Sequence, residues 1–330
     1  MKKIINNPEQ VVTEMLEGVV KAHPDYVTCI PDKHVLVRKN LTKKVTLVSG
    51  GGSGHEPSHG GYVGKGMLDA AVAGEVFTSP TPDQVFEAIK AIDQGKGVLM
   101  VIKNYTGDIL NFEMAGEMAE AEGIETASVV VNDDVAVEDS LYTTGRRGIA
   151  GTVLIHKIAG AAAEKGMELA EVQRVAEKVI ANVRSMGMSL TPCTIPAAGK
   201  PGFDLAEDEM EIGLGIHGEP GTHRDRIADA ASIVKQLTDK ILGDMKLASG
   251  DEVALMINGL GGTPLMELYI ANNEVRKILD PLGIKIAKTL VGNFMTSIEM
   301  AGFSVTILKL DDEIKELLNA PADTPAFKQV

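Results

Sequence analysis

The strongest constraint on this 330-residue chain is the recurrence of short apolar runs with helical patterns between them. Strand-like runs lie at 45–49, 98–102 and 126–131, and helical periodicity appears near 80–93 and 109–122. That alternation predicts βαβ units and a mostly parallel sheet. Runs that are apolar throughout fit strands covered on both faces. An earlier helix is expected behind Asn7-Pro8, where Val11, Val12, Met15, Leu16, Val19 and Val20 recur at helical spacing.

The rhythm then changes. Two helical patterns, about 151–165 and 168–185, follow each other with no clear strand between them. Strands resume at 188–195, 209–216, 252–257, 284–291 and 303–308, with helices near 224–242, 264–280 and 311–318. The fold class expected is α/β in two domains. Residues 1–185 are expected to form a mostly parallel doubly wound domain, and 186–330 a smaller mixed-sheet α/β domain. No linker of low complexity separates them, so the halves are expected to pack together. The tail from Pro321 is expected to fray or drape over the surface.

Composition excludes several classes. With 32 Lys and Arg against 46 Asp and Glu, the net charge of −14 argues against a nucleic-acid partner. Tryptophan is absent and aromatics are few, which leaves little for base stacking. Cys29 and Cys193 are too few for a disulfide framework or a Cys-rich metal site. The N-terminus lacks the apolar core of a signal peptide, and the longest apolar runs are far too short to cross a bilayer. A cytoplasmic protein without membrane contact is the expectation.

Two glycine-framed histidine segments stand out: Ser49-Gly-Gly-Gly-Ser-Gly-His55-Glu-Pro57 and Gly215-Ile-His217-Gly-Glu-Pro-Gly221. Glycine at this density lets a backbone turn sharply and approach a ligand closely. Neither core packing nor a solvated helix face accounts for a histidine in such a setting. The run at 98–102 leads into Lys103-Asn-Tyr-Thr-Gly-Asp108, and ligands of open α/β sheets gather at such strand ends. Gly74-Glu-Val-Phe-Thr-Ser-Pro80 is a third loop able to close the same crevice. Blander readings exist, with Asp108 as a helix N-cap and Lys103 as a surface lysine.

Three tempting motifs fail. His55-Glu-Pro-Ser-His59 matches H-E-x-x-H, but Pro57 and the surrounding glycines deny it the helix a zinc site requires, so no metal is expected. The glycine run lacks the Lys-Ser/Thr pair of a Walker loop, and Gly259-Leu-Gly261-Gly-Thr-Pro264 breaks the dinucleotide spacing. A G-x-S-x-G elbow is missed at His55. No nucleotide site is recognisable on this chain.

The segments SGGGSGHEP (49–57), GEVFTSP (74–80), KNYTGD (103–108), GRRGIAGT (145–152), GIHGEPG (215–221) and NGLGGTP (258–264) together resemble the dihydroxyacetone kinase family, in particular its stand-alone substrate-binding subunit. The resemblance runs essentially end to end. It implies that His217 adds to the carbonyl of dihydroxyacetone to give a hemiaminal. His55 and Asp108 would handle substrate protons, while Gly52, Ser53, Gly54 and Lys103 would hold its oxygens. Which of Asp108 and His55 is the base stays open. An imidazole adduct has no second N–H to lose, so addition stops short of an imine, and glycerol, having no carbonyl, is refused.

The resemblance also implies no cofactor on this chain. ADP, with Mg, is expected on a partner kinase subunit recharged by a phosphohistidine carrier of the phosphoenolpyruvate-dependent phosphotransferase system. A homodimer is implied as well. The rival reading is a non-catalytic coactivator that senses dihydroxyacetone for a transcription regulator, and a zinc hydrolase using His55 and His59 is a third.

Overall fold

The computed structural model describes residues 2–139 and 143–330. Two six-stranded sheets form the frame. The first contains β1 (Val27–Cys29), β2 (Val35–Arg38), β3 (Thr46–Ser53), β4 (Ala70–Val76), β5 (Val98–Lys103) and β6 (Thr126–Val131), ordered β1-β2-β4-β3-β5-β6. Strands β4, β3, β5 and β6 are parallel, whereas β1 and β2 join antiparallel at the edge. The second contains β7 (Val183–Ser189), β8 (Glu209–Ile212), β9 (His223–Arg226), β10 (Glu252–Gly259), β11 (Lys285–Gly292) and β12 (Gly302–Leu310). Its order is β11-β10-β12-β7-β8-β9, with only the β10–β11 pair parallel.

Alternation along each strand sends side chains to opposite faces. In β5, Val98, Met100 and Ile102 pack under α2 (Pro82–Ile92) and α3 (Thr106–Ala121), while Leu99 and Val101 face the other way. There they meet α4 (Thr152–Glu164) and α5 (Leu169–Asn182). The same apolar cluster includes Ala254, Met256 and Leu308 of the second sheet and Ile314, Leu317 and Leu318 of α8 (Asp312–Asn319). The outer face of the second sheet is covered by α6 (Ala230–Asp244) and α7 (Leu265–Leu279).

Helix α4 is buried on every side from Thr152 to Ala163. Its apolar circumference suits a helix lying between two sheets rather than on a surface. Each of its fully buried leucine and isoleucine side chains contributes about 2 kcal/mol of burial. The cluster around it spans both sheets, and the expected division at residues 185 and 186 falls within β7.

Several elements differ from expectation. Strands β1, β2 and β4 are additional, and β9 occupies the start of the stretch expected as helix from 224. Strand β7 begins at Val183, directly after α5, so the strand expected at 188–195 is displaced toward the N-terminus. The tail does not fray. It folds into β13 (Ala322–Asp323) and β14 (Lys328–Gln329), and α1 (Val11–Ala22) lies nearby. The Ala326 N–H donates to Gly61 O at 2.9 Å, Asp323 bridges Lys65, and Phe327 is buried. Those backbone bonds and that apolar anchor pin the tail beneath the glycine-rich loop.

Candidate active site

The carboxyl ends of three adjacent parallel strands, β4, β3 and β5, deliver the first half of the site. From β3 come the glycine turn and His55, from β4 Phe77 and Ser79, and from β5 Lys103, Tyr105 and Asp108. The second half is supplied by the 213–221 turn and by residues 294–298. Asn258 secures the latter stretch, its side chain bonding Met295 O and the N–H groups of Phe294 and Met295. This gives NGLGGTP a structural purpose. It holds the segment that in turn clamps the glycine loop through Thr296 N–H to His55 O and Ile298 N–H to Gly54 O.

His55 is fully buried. Its Nδ1–H donates to Thr296 O at 2.7 Å, which leaves Nε2 as the lone-pair nitrogen. Nε2 has no protein hydrogen-bond partner among the described residues. Burial, then the neighbouring His217 and Lys103, hold His55 well below the usual histidine value, so it is neutral at pH 7.

His217 lies beside it, the two ring centroids 4.8 Å apart and the planes at 70°. Its Nδ1 bonds Glu219 Oε1 at 2.8 Å, and its backbone N–H bonds Glu219 Oε2 at 3.0 Å. Gly218, at φ +79°, and the Gly218 N–H to Gly215 O bond make the tight turn that brings these groups together. Burial would raise the Glu219 carboxyl, but His217 and Arg147 outweigh it and hold it at about 2. An ionised Glu219 requires the proton on Nδ1 of His217, and in the neutral ring the lone pair is then on Nε2. His217 keeps 17 % of its side chain exposed.

Aromatic rings wall this imidazole. Phe77 stacks on His55 at 5.0 Å and meets His217 edge-on at 5.3 Å, while Tyr105 meets His217 edge-on at 4.6 Å. Phe77 adopts φ +58°, and its ring lies 2.8 Å from where a Gly54 Cβ would stand. At φ +102° and under that ring, Gly54 has no room for a side chain.

Asp108 and Lys103 form an ion pair at 3.2 Å, both buried. Asp108 Oδ1 also accepts from Ser79 Oγ–H at 2.5 Å. The carboxylate therefore faces the cluster of loops, and Tyr105 takes the N-cap position of α3. Lys103 is fully buried rather than superficial, donating to Gly50 O at 3.1 Å. Of the remaining expected residues, Gly52 packs against the backbone of Phe77 and Thr78. The Gly54 N–H is taken by Glu56, and the Ser53 hydroxyl by Gly74 O at 2.7 Å. The Ser53 side chain thus ties β3 to β4, and only its backbone is left to face a ligand.

His55 and His59 diverge: His59 Nδ1 lies 2.9 Å from His156 Nε2, while His55 turns to Thr296, and residues 55–59 form turns rather than a helix. An apolar cavity of about 250 Å³ lies against the same turn. It is lined by Met15, Leu16, Leu36 and Ala326 and contains neither His55 nor His217, so the chemistry belongs elsewhere.

Sequence reasoning missed Glu219, Phe77, Tyr105 and Arg147 as site residues. Glu219 stands two residues after His217 inside the GIHGEPG segment, and a carboxylate so close in sequence to a glycine-framed histidine was the available signal.

The family model described as the Dak1 domain matches residues 17–326. The dihydroxyacetone-binding subunit DhaK of PTS-dependent dihydroxyacetone kinase 1 from Listeria innocua is 56% identical, over 99% of this chain and 100% of that one. Among solved structures, a dihydroxyacetone kinase operon co-activator superposes with a TM-score of 0.91 at 37% identity, covering 96% of this chain and 98% of that one. The dihydroxyacetone kinase of C. freundii, in complex with AMP-PNP and Mg2+, gives 0.92 at 36% identity, covering 99% of this chain and 61% of that one. A match over nearly the whole chain places this protein in the Dak1 family of dihydroxyacetone kinases.

Proposed function

We propose that this chain is the dihydroxyacetone-binding subunit of a dihydroxyacetone kinase, holding the ketone on His217 and presenting its free hydroxyl to a phosphoryl donor on a partner subunit. The observation that carries the reading is the His217–Glu219 pair, which fixes the proton on Nδ1 and leaves Nε2 as a nucleophile beside His55, Phe77 and Tyr105. In the addition, Nε2 forms a bond to the carbonyl carbon and the carbonyl π electrons move to oxygen, which takes a proton from solvent. The ring becomes cationic and keeps its Nδ1 proton in the hydrogen bond to Glu219, whose carboxylate balances the charge. The product is a hemiaminal with no net charge across the His217–Glu219 pair.

Fixing one end of a small, mobile ketone reduces the entropy lost at the next step. Asp108 and the neutral His55 are the groups able to accept the hydroxyl proton as that oxygen attacks phosphorus. Lys103 and the backbone of Gly52 and Ser53 border the substrate oxygens, the Gly54 N–H being taken by Glu56. ADP with Mg belongs, in this reading, to the partner subunit, which a phosphohistidine carrier recharges, and the chain itself works as a homodimer.

The similarity to the operon co-activator supports a second role, reporting substrate to a transcription regulator. Such a sensor needs His217 but neither Asp108 nor His55. Reconstitution separates the readings: the chain with ATP alone is expected to form no dihydroxyacetone phosphate, and addition of an ADP-binding kinase subunit to restore it. Robust turnover by the isolated chain would contradict the division of labour. Adduct formation without turnover in any reconstitution would favour the sensor.

A further inference from the structure

His59 completes the H-E-x-x-H pattern, yet the chemistry above gives it no part. Its surroundings do. The Lys103 ammonium has three neighbours in hydrogen-bond geometry: Gly50 O at 3.1 Å, Asp108 Oδ2 at 3.2 Å and His59 Nε2 at 3.4 Å. An ammonium only donates, so His59 Nε2 carries a lone pair and the His59 proton sits on Nδ1. Nδ1–H then donates to His156 Nε2 at 2.9 Å, and the His156 proton must reside on its own Nδ1. That last nitrogen is buried and has no partner among the described residues, so the chain of proton placements ends blind in the core. Ser49 Oγ, 3.5 Å from His59 Nδ1, is committed to Val101 O at 2.6 Å.

A blind chain does not carry protons to solvent. Burial, then the Lys103 charge, lowers both imidazoles well below their ordinary value, so neither is a reservoir at neutral pH. What the pair supplies is a neutral acceptor. A carboxylate at position 59 would cancel the Lys103 charge, and an aliphatic residue would leave one N–H of a fully buried ammonium unmade, a costly omission. Imidazole satisfies the N–H and keeps the charge. The ammonium is thereby held against the turn itself, where a Gly51 Cβ would overlap it.

We propose that His59, held by His156 on α4, is a positioning residue that fixes the Lys103 ammonium beside Asp108 and the glycine turn, an inference that rests on the substrate-binding role given to Lys103 above. When a substrate oxygen enters, Asp108 is free to turn to the hydroxyl proton while His59 and Gly50 O keep the ammonium in place.

The test compares the full-length parent with His59→Leu and His59→Gln, the glutamine retaining an acceptor near the position of Nε2. The 15N signal of Lys103 Nζ is recorded without substrate, and KM, kcat and Tm are measured with the reconstituted kinase partner. In His59→Leu the Lys103 signal is expected to be lost to fast exchange and KM for dihydroxyacetone to rise about 10-fold, the cost of one hydrogen bond to a charged group, with kcat changed less. His59→Gln is expected to recover most of both. Parental Lys103 signal and KM in His59→Leu would overturn the proposal. So would equal losses of KM and Tm in both variants, since those mark a merely structural histidine. If the parent binds no dihydroxyacetone, the functional reading fails, and the substrate-free Lys103 signal still decides the role of His59.

Discussion

His55 and His217 are neighbours with opposite partners. One ring is anchored by a backbone carbonyl, the other by a buried carboxylate. Both anchors place the proton on Nδ1 and expose the Nε2 lone pair, but their electrostatics differ. The Thr296 carbonyl orients His55 without offering charge, and burial keeps that ring neutral. Glu219 sits ready to compensate positive charge on His217, which an imidazole acquires when it attacks carbon. On the proposed function, the same side chain is set as a proton acceptor in one loop and as a nucleophile in the other, by the group behind it.

The two histidines should differ most at turnover. His55→Ala removes an acceptor near the substrate but leaves the nucleophile, so phosphoryl transfer in the reconstituted complex should fall about 10²–10⁴-fold. The adduct on His217 should persist, as seen by 13C-NMR of carbonyl-labelled dihydroxyacetone. Loss of the adduct along with turnover would show that the two histidines are not functionally separate.

A smaller effect is expected from the other anchor. Glu219→Ala frees the ring and removes its counter-charge, and adduct occupancy should fall about 10–100-fold, the range of one charge-assisted hydrogen bond. The measurement is a dihydroxyacetone titration followed by the same 13C signal. Parental affinity in that variant would remove the carboxylate from the account.

The smallest effect concerns the buried imidazole beneath the site. His156 is lowered to about 3 by burial and then by Lys103, against 6.5 when exposed. As pH falls below 6.5 the unfolded chain takes up a proton that the folded chain refuses, so stability drops on acidification. The loss amounts to about 1.4 kcal/mol per pH unit, continuing toward the folded value. Asp134, raised to about 6 by burial, works in the opposite direction over much of this window. Comparison with His156→Gln cancels that term: between pH 8 and pH 5 the parent should lose about 2 kcal/mol relative to the variant in urea unfolding. An unchanged difference would mean that His156 is protonated in the fold.

Strands with uniform apolar runs, such as β5 and β10, were legible because burial on both faces leaves a compositional trace. Among those that were missed, β2, Val-Leu-Val-Arg, carries the trace over only four residues, and others lack it. Strand β4 reads Ala-Ala-Val-Ala-Gly-Glu-Val, with small residues chosen for close packing, and β9 is a four-residue charged edge. The tail drapes rather than frays because its anchors are backbone bonds to Gly61 and Lys65, which no local pattern announces. In the site, the glycine-framed histidines and the Lys103–Asp108 loop were conspicuous. Their supports were not, because Thr296 acts through a carbonyl common to every residue, and His156 lies 97 positions from His59 on a helix that otherwise reads as core. Pairing across such distance is a property of the fold, not of any segment.

Covalent binding at His217 is tested most directly by a crystal structure of the chain soaked with dihydroxyacetone. Continuous electron density is expected from His217 Nε2 to a tetrahedral carbon of the ligand, with Glu219 still bonded to Nδ1. A planar ketone lying unbonded in the compartment, or a His217→Ala variant that binds dihydroxyacetone as tightly as the parent, would contradict it.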